Sequence, residues 1–357
     1  MGMKVKNDMK EMNEKPRKKS HKGRNIVLGI ICALLVLFIV VCVYAYSIVS
    51  KINKADTNSP TEEASSDSVP DEDLISDPAI NDSLRNADVS VMSDSDIKNI
   101  LLIGQDRREG QGRQRSDSMI LCTINTKTKS ITLTSIMRDL YVAIPGHKNN
   151  RINAAYQFGG MLLLDQTIEQ NLGVHVDGNV EVDFDGFIKS LSRVGNIDIE
   201  LKQEEADFLN KSGWASSAAK ESGTTNEGWN LKAGINSLTP EQALAYSRTR
   251  YVGHSDWERT DRQRRVISAA FDKLKDKNVS EILSIVSDIC PNLTTDLSDT
   301  QILGYAYTVA VDKMSIGASY RLPYEGMYTN QTLGKGMEVL VPDLEKNAAE
   351  LHKDLYG

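Results

Sequence analysis

From about residue 97 onward, short apolar runs bounded by polar turns alternate with longer stretches of helical periodicity. Runs at Ile100–Ile103, Met119–Ile124, Ser130–Ile136 and Tyr141–Ile144 predict strands, the middle pair joined by the polar turn Asn125–Lys129. Gly160–Leu172 predicts a helix stopped at Gly173, and Phe184–Arg193 one stopped near Gly195, since glycine tolerates the left-handed conformation that ends helices. Asn179–Phe184 and Ile197–Leu201 predict further strands. Thr239-Pro-Glu-Gln242 is a capping box with Pro at the first helical position, so Ala243–Arg250 is expected to be helical. Thr260–Asp276 and Val279–Ile289 supply two more helices. Strands and helices interleaved in this way predict an α/β fold, a three-layer α/β/α domain with a central mixed sheet. No internal repeat stands out.

Ahead of this domain, Ile26–Ile48 is a run of 23 residues without a charge. At about 1.5 Å per helical residue it is long enough for a hydrocarbon core of about 30 Å, which predicts one transmembrane helix. A cleaved signal peptide would have a shorter apolar region ending at a small-residue site, and no convincing Ala-x-Ala follows. Residues 1–25 carry nine Lys or Arg against three acids, whereas Lys54–Asp96 carries two against twelve. The positive-inside rule then predicts a cytoplasmic tail over 1–25, a span over 26–48, an acidic flexible stalk over 49–95 and an outer domain over 96–357.

The net charge of −7 is therefore mostly a property of the stalk, and everything from Ile97 onward sums to about −4. That mild acidity is opposite to the footprint of a nucleic-acid binder, and the basic tail is explained more simply by juxtamembrane attraction to anionic lipid. Two of the four cysteines, Cys32 and Cys42, lie in the apolar run; Cys122 sits in an apolar strand where a buried thiol is expected, and a bond to Cys290 is left open.

Against this near-neutral background, acids and arginines gather at strand ends. Asp106 and Arg107 follow Ile100–Ile103, Arg115 and Asp117 precede the Met119–Ile124 strand, and Arg138-Asp139 follow Ser130–Ile136. If the first two strands are neighbours, Asp106 and Asp117 meet at one edge, and two carboxylates with phosphate and water oxygens are the usual way to hold Mg²⁺. Turn and cap roles suit the same two residues, and spacing alone favours those. The arginines shift the balance toward an anion site, because a guanidinium stays protonated and binds phosphate oxygens in a fixed fork. A second group contains Arg248, Arg250, Arg259, Arg262 and Gln263. Arg248 and Arg250 are expected on different helix faces, Arg259 and Gln263 on one, and Arg264 and Arg265 on a solvated surface.

Other chemistries fit poorly. His21, His147, His175, His254 and His352 stand alone, with no His-Glu-x-x-His or Cys-x-x-Cys spacing for zinc. Gly104–Gly112 lacks the Gly-Lys-Ser/Thr of a P-loop, and no Gly-x-Ser-x-Gly elbow is present.

Taken in order, Asn99–Asp106, Arg115–Met119, Ser135–Val142, Ile144-Pro-Gly, Arg151–Tyr156, Gly159-Gly160, Val182–Phe187, Leu244–Arg250 and Ser255–Gln263 resemble the motifs of the LytR-CpsA-Psr family of cell-wall glycopolymer ligases. The resemblance covers roughly Ile97–Ala270, and the tail, span and stalk look like that family's layout. It implies a membrane-anchored, Mg²⁺-dependent phosphotransferase of a Gram-positive-type envelope, with Mn²⁺ as a substitute ion. Such an enzyme moves a glycan phosphate, from teichoic acid, capsule or a related polymer, from polyprenyl pyrophosphate to a sugar hydroxyl of peptidoglycan. It implies metal ligation by Asp106 and Asp117. Pyrophosphate binding is implied at Arg115, Arg138, Arg248, Arg250, Arg259 and Gln263, with Arg107, Arg151 and Arg262 from the same motifs as further binders. Arg138, Arg250 and Arg259 are expected to absorb transition-state charge, and Asp139 or Asp256 are candidates for the base.

Helices around Leu162–Ile168 and Phe184–Leu191 are candidates to line the lipid slot, a plain core being the simpler role for most of them. Met137 stands where the family usually has Pro, and Arg151 where Lys is common. No second membrane helix follows the first, so the extra outer domain of some members is expected to be missing. The rival readings of the same site are a non-catalytic carrier or sensor of polyprenyl pyrophosphate, and a pyrophosphate hydrolase.

Overall fold

Side-chain alternation on three long strands divides the domain into layers. In the computed structural model, β2 (Ile97–Gln105), β3 (Ser116–Asn125) and β4 (Ser130–Ile136) form an antiparallel meander. Leu101, Ile103, Met119 and Leu121 enter one core, while Leu102, Ile120, Cys122, Ile124 and Leu133 enter another, as period-2 pleating requires. The structure describes residues 43–55, 78–105, 113–211, 229–250, 252–253, 256–275, 277–334 and 336–357. Tyr46–Gly357 belong to one compact unit.

Among the described residues the central sheet has seven strands in the order β1-β10-β7-β2-β3-β4-β11, where β1 is Asn53–Lys54, β7 Gly178–Asp183, β10 Thr294–Thr295 and β11 Ser315–Leu322, while β5 (Tyr141–Val142) and β6 (Asn150–Arg151) pair apart from it. Pairings β1–β10, β2–β7 and β4–β11 are parallel and the rest antiparallel, so the sheet is mixed. On one face lie α2 (Asn153–Leu172) and α9 (Leu344–Tyr356); on the other lie α6 (Asp256–Lys275) and α8 (Asp299–Val311). The expected three-layer α/β arrangement is therefore present.

Helix α2 begins before the expected Gly160 and contains a kink, with Gly159 and Gly160 outside helical geometry and Gly160 at φ +66°. It ends at Gly173 in the left-handed conformation, as its sequence predicts. Leu164 and Ile168 are fully buried beneath it, each contributing about 1.5–3 kcal/mol by leaving water. The predicted strand β8 (Ile197–Leu201) forms, but outside the main sheet, paired with β9 (Gly234–Leu238) in a lobe whose second core also takes α3 (Phe184–Val194), α4 (Gln203–Lys211) and α5 (Pro240–Arg248).

Two expectations concern the N-terminal third. Most of Ile26–Ile48 lies outside the described residues, of which 43–49 are helical. Among the described residues no helix is long and apolar enough to cross a membrane. The segment read as a stalk is packed at both ends. Ile48, Val49 and Ile52 are buried with Cys290, and β1 adds to the sheet edge. Further on, α1 (Pro78–Arg85) buries Leu84 in the main core, where Ile80, Ala87 and Val89 also pack. Apolar residues spaced for one helix face anchor what composition alone assigns to solvent. Residues 56–77 lie outside the described set. Cys122 and Cys290 are free thiols, and burial pushes the Cys122 thiol up to about 12.

Candidate active site

Since β3 runs antiparallel to both β2 and β4, the carboxyl ends of β2, β4 and β7 share one sheet edge with the start of β3. Ligands of α/β sheets sit outside such carboxyl ends. Here the edge opens into a cavity of about 420 Å³. Its wall receives Gln105 from β2, Asp117 and Ser118 from β3, Arg138 from just past β4, and Asp183 and Phe184 from the junction of β7 with α3. The Asp183 side chain caps α3 by accepting from Gly186 N at 2.8 Å, which fixes that junction.

The two arginine-bearing helices supply the rest. Thr239 and Gln242 form the expected capping box of α5, but the helix ends at Arg248, two residues short of the expected end. Thr249 is extended, so Arg250 departs from the helix axis and both Arg248 and Arg250 line the cavity instead of diverging. Arg248 stacks on the Phe184 ring at 4.1 Å. On α6 the cavity residues are Arg259, Gln263 and Ile267. With Asp256 they form one helical stripe, spaced three, four and four residues apart, that passes from anion to cation to amide to alkyl over about 16 Å. The far end is apolar: Ile120, Val180, Val182, Phe187, Ile267 and Leu293.

Asp256 organises the cationic end. Its Oδ2 accepts from Arg138 Nε at 3.2 Å and from Arg259 Nη2 at 3.1 Å, and its Oδ1 lies 3.4 Å from Arg250 Nε. Arg138 Nη1 also lies 2.6 Å from Asp117 Oδ1, and Arg259 Nη2 donates to the Asp117 carbonyl at 3.3 Å. Burial lowers the Arg259 guanidinium to about 10 despite Asp256. Burial acts on Arg138 in the same sense, yet Asp117, Asp139 and Asp256 together hold it above the ordinary arginine value. Ser118 Oγ donates to Gln263 Oε1 at 2.9 Å, a bond that uses the acceptor of this cavity-lining amide and not its hydrogens. Arg259 Nε is buried with no hydrogen-bond partner among the described residues, a donor whose desolvation a ligand oxygen would offset.

Of the expected site residues, Asp117, Arg138, Arg248, Arg250, Arg259 and Gln263 converge on this cavity. Asp106 and Arg107 lie outside the described residues. Arg115 and Arg151 stand beside the wall without lining it. Arg115 Nε donates to Gln157 Oε1 at 3.2 Å, and burial followed by the charge of Arg151 lowers its guanidinium. Asp139 is likewise off the wall, 2.9 Å from Arg151 Nη1 and 3.6 Å from Arg138 Nε. Arg262 turns the other way: it is 1% exposed, donates to Glu205 Oε1 at 2.8 Å and Glu258 Oε2 at 2.9 Å, and binds the Thr249 and Val252 carbonyls. Its role is to hold the α5–α6 connection.

Arg264, expected on a solvated face, is buried and donates to Ser135 Oγ at 2.7 Å, while the half-buried Arg265 binds Tyr246 and the Glu200 carbonyl. Leu162–Ile168 belong to α2 and contribute no lining residue; Phe184 and Phe187 do. Asp256, a candidate base in the sequence, is in the structure the hub of three guanidiniums, and its spacing of three from Arg259 is the sequence signal for that contact. Asp117 lines the cavity with its side chain 32% exposed. That suits one carboxylate of the oxygen set that Mg²⁺ takes alongside phosphate oxygens.

The sequence matches the LytR_cpsA_psr family over residues 41–353. The chain belongs to that family. Biofilm regulatory protein A of Streptococcus mutans is 30% identical over 311 residues, covering 75% of this chain and 71% of that protein. The polyisoprenyl-teichoic acid–peptidoglycan teichoic acid transferase TagU of Enterococcus faecalis is 33% identical, covering 65% of this chain and 67% of that protein. Among solved structures, TagV of B. subtilis superposes with a TM-score of 0.56 at 27% identity, covering 74% of this chain and 99% of that one. TagT bound to LIIa-WTA does so with a TM-score of 0.55 at 28% identity, covering 77% and 99%.

Proposed function

We propose that this protein transfers a glycopolymer phosphate from a polyprenyl pyrophosphate carrier to a sugar hydroxyl of peptidoglycan, the polymer being teichoic acid or a related anionic glycan. The observation that carries this is the split polarity of one cavity: four guanidiniums and an amide at one end, Phe187, Ile267 and Leu293 at the other. A diphosphate joined to an isoprenoid chain is amphipathic in the same sense. The names of the TagU and TagT relatives support the same polymer class.

In this reading Arg138, Arg250 and Arg259, preset by Asp256, bind the diphosphate oxygens, and Arg248 and Gln263 extend the cradle. The acceptor oxygen attacks the phosphorus that bears the glycan. The bond from that phosphorus to the bridging oxygen breaks, and polyprenyl phosphate leaves with the bonding pair. The hydroxyl proton passes to a carboxylate or to solvent. Charge growing on the bridge is met by guanidiniums already in place, so little reorganisation is needed at the moment of reaction. Asp139 is tied to Arg151 and Arg138 and serves by orienting them. Asp117, with Asp106, would hold Mg²⁺, or Mn²⁺ in its place, and a bound ion would neutralise phosphate charge. The reading places the uncharged run that begins at residue 26 in the membrane up to where Ile48 packs on the domain, with the domain outside, in a Gram-positive-type envelope.

The test uses the full chain with a synthetic polyprenyl-pyrophosphate glycan, Mg²⁺ and peptidoglycan oligomers. The expected product is an oligomer heavier by one glycan phosphate, with polyprenyl monophosphate released. Free glycan phosphate formed at the same rate without acceptor identifies a hydrolase. Tight binding with no turnover identifies a carrier or sensor; either result overturns the proposal.

A further inference from the structure

Helix α8 has no buried residue along its thirteen positions, and no charged side chain between Asp299 and Asp312. Tyr307 is 70% and Val311 59% exposed, and Gly304, spaced to share their face, is exposed with them. Beyond the exposed Thr300 and Gln301 of its first turn, the rest of this helix face is more apolar than is usual at a free aqueous surface.

What lies beneath it is equally specific. Tyr305 and Val309 pack on the core that contains Leu102, Ile120 and Ile267, three residues that also line the apolar end of the cavity. Ile302 and Leu303 pack on the cluster of Ile48, Val49 and Ile52, together with Leu293, another cavity residue. Helix α8 thus lines no part of the cavity itself but backs residues that form its apolar end, and its inner face packs in one cluster with Ile48, the last residue of the uncharged run Ile26–Ile48. The acids that flank the exposed face are neutralised: Lys54 lies 2.7 Å from Asp299 and Lys129 2.9 Å from Asp312. The face therefore has no uncompensated negative charge to oppose anionic headgroups.

We propose that the outward face of α8, carried by Gly304, Tyr307 and Val311, rests at the headgroup-to-acyl boundary of the bilayer that receives the uncharged run ahead of Ile48, so that the carrier's isoprenoid tail reaches the cavity beside this helix. The proposal rests on the anchored reading above. Its occupant is a lipid surface because the chain segment most suited to hydrocarbon ends on this helix. Tyr at such a boundary keeps its hydroxyl wet while its ring is buried.

The experiment uses the full chain in phosphatidylcholine/phosphatidylglycerol vesicles. Cys32 and Cys42 are replaced by Ala, and an environment-sensitive fluorophore is attached at Tyr307→Cys or Val311→Cys. Ile235→Cys, at a residue 79% exposed on the separate β9 strand, is the control. Flotation reports anchoring independently. The expected result is that doxyl groups at shallow acyl positions quench the 307 and 311 labels by about half or more, the depth expected of an interfacial helix, and leave the 235 label unchanged. A chain that floats but shows equal quenching at all three sites overturns the α8 proposal alone. Blue-shifted labels that resist doxyl quenching and depend on protein density indicate a second copy on this face, and overturn it too. A chain that does not float overturns the anchored reading and the proposal with it.

Discussion

Arg138 donates through Nε to Asp256 Oδ2 at 3.2 Å, joining the end of β4 to the first turn of α6 across 118 residues of chain. The contact sets the rotation of α6, and hence whether Arg259, Gln263 and Ile267 face the cavity. Asp256→Asn keeps the shape but weakens three charge-assisted contacts at once. Loss of such an outer-shell partner is expected to lower transfer by about 10–100-fold, mainly in kcat, while circular dichroism stays native. Unchanged turnover would remove Asp256 from the site.

Asp117 makes a different contact with the same guanidinium, 2.6 Å from Arg138 Nη1. Asp117→Asn removes the charge that would face a divalent ion. The Mg²⁺ concentration for half-maximal activity is expected to rise by at least about 10-fold. An unshifted Mg²⁺ titration would place the ion elsewhere.

Arg262 and Glu205 are both buried and bound at 2.8 Å. Arg262→Met strands a carboxylate inside the α5–α6 lobe and is expected to cost about 3–5 kcal/mol, read as a lower urea midpoint. Adding Glu205→Leu removes the stranded charge and should recover most of that loss. A double variant no better than the single one would show that packing, not charge, holds this corner.

The difference between Arg259 and Arg262 explains how far the sequence could be read. Both belong to one arginine-rich motif three residues apart, and only the helix register with its tertiary partners decides which faces the cavity. Apolar periodicity located β2, β3, β4, β7, α3 and α7 (Val279–Ile289) closely, because each buries a regular stripe. Site residues were legible where a strand end delivers them, as with Asp117 and Arg138. Glu205 on α4, one of three acids in Glu204–Asp207, gave no signal as the partner of Arg262, since it lies 57 residues away. Beyond residue 290 the pattern was least informative: α8 is apolar on an exposed face, and β11 and β12 (Tyr328–Leu333) carry mostly part-exposed or exposed residues. Met137, where the resembling family usually has Pro, donates its backbone N–H to the Leu322 carbonyl at 2.9 Å, a bond between the ends of β4 and β11 that Pro could not make.

Burial holds the Arg259 guanidinium at about 10, below its ordinary value of 12.5. A base whose folded pKa is depressed carries its cost at every pH below that value. Stability therefore rises with pH from about 10 toward 12.5, where the unfolded chain still binds the proton. Arg259→Met should abolish transfer yet match or exceed the parent's stability at pH 7–8, by on the order of 1–3 kcal/mol. A clear fall in its urea midpoint would mean that Asp256 and the Asp117 carbonyl more than offset the burial.

Asp165 on α2 gives the opposite sign. Burial, helped by the charges of Asp296 and Glu169 and opposed by the Asn179 hydrogen bond, raises its carboxyl to about 8 from 3.8. The folded state then binds more protons between those values, so stability falls as pH rises through the window and the cost is complete above about 8. Asp165→Asn retains an acceptor for Asn179 Nδ2, which now donates to Asp165 Oδ2 at 2.8 Å. Its thermal midpoint should exceed the parent's at pH 8.5 and the gap should close toward pH 4. A gap independent of pH would assign the gain to packing.

Phe187 and Phe184 test the apolar half of the cavity separately from its charges. Phe187 lines the far end, whereas Phe184 lies beneath the Arg248 guanidinium at 4.1 Å. If an isoprenoid tail occupies the far end, Phe187→Ala should raise KM for long-chain carriers, the loss of a buried ring costing about 1.5–3 kcal/mol of binding, or roughly 10–100-fold. Short-chain analogues that do not reach the ring should be affected far less. Phe184→Ala removes the platform under Arg248 and should weaken long and short carriers alike. Equal losses for every chain length in the Phe187 variant would remove the tail from this slot.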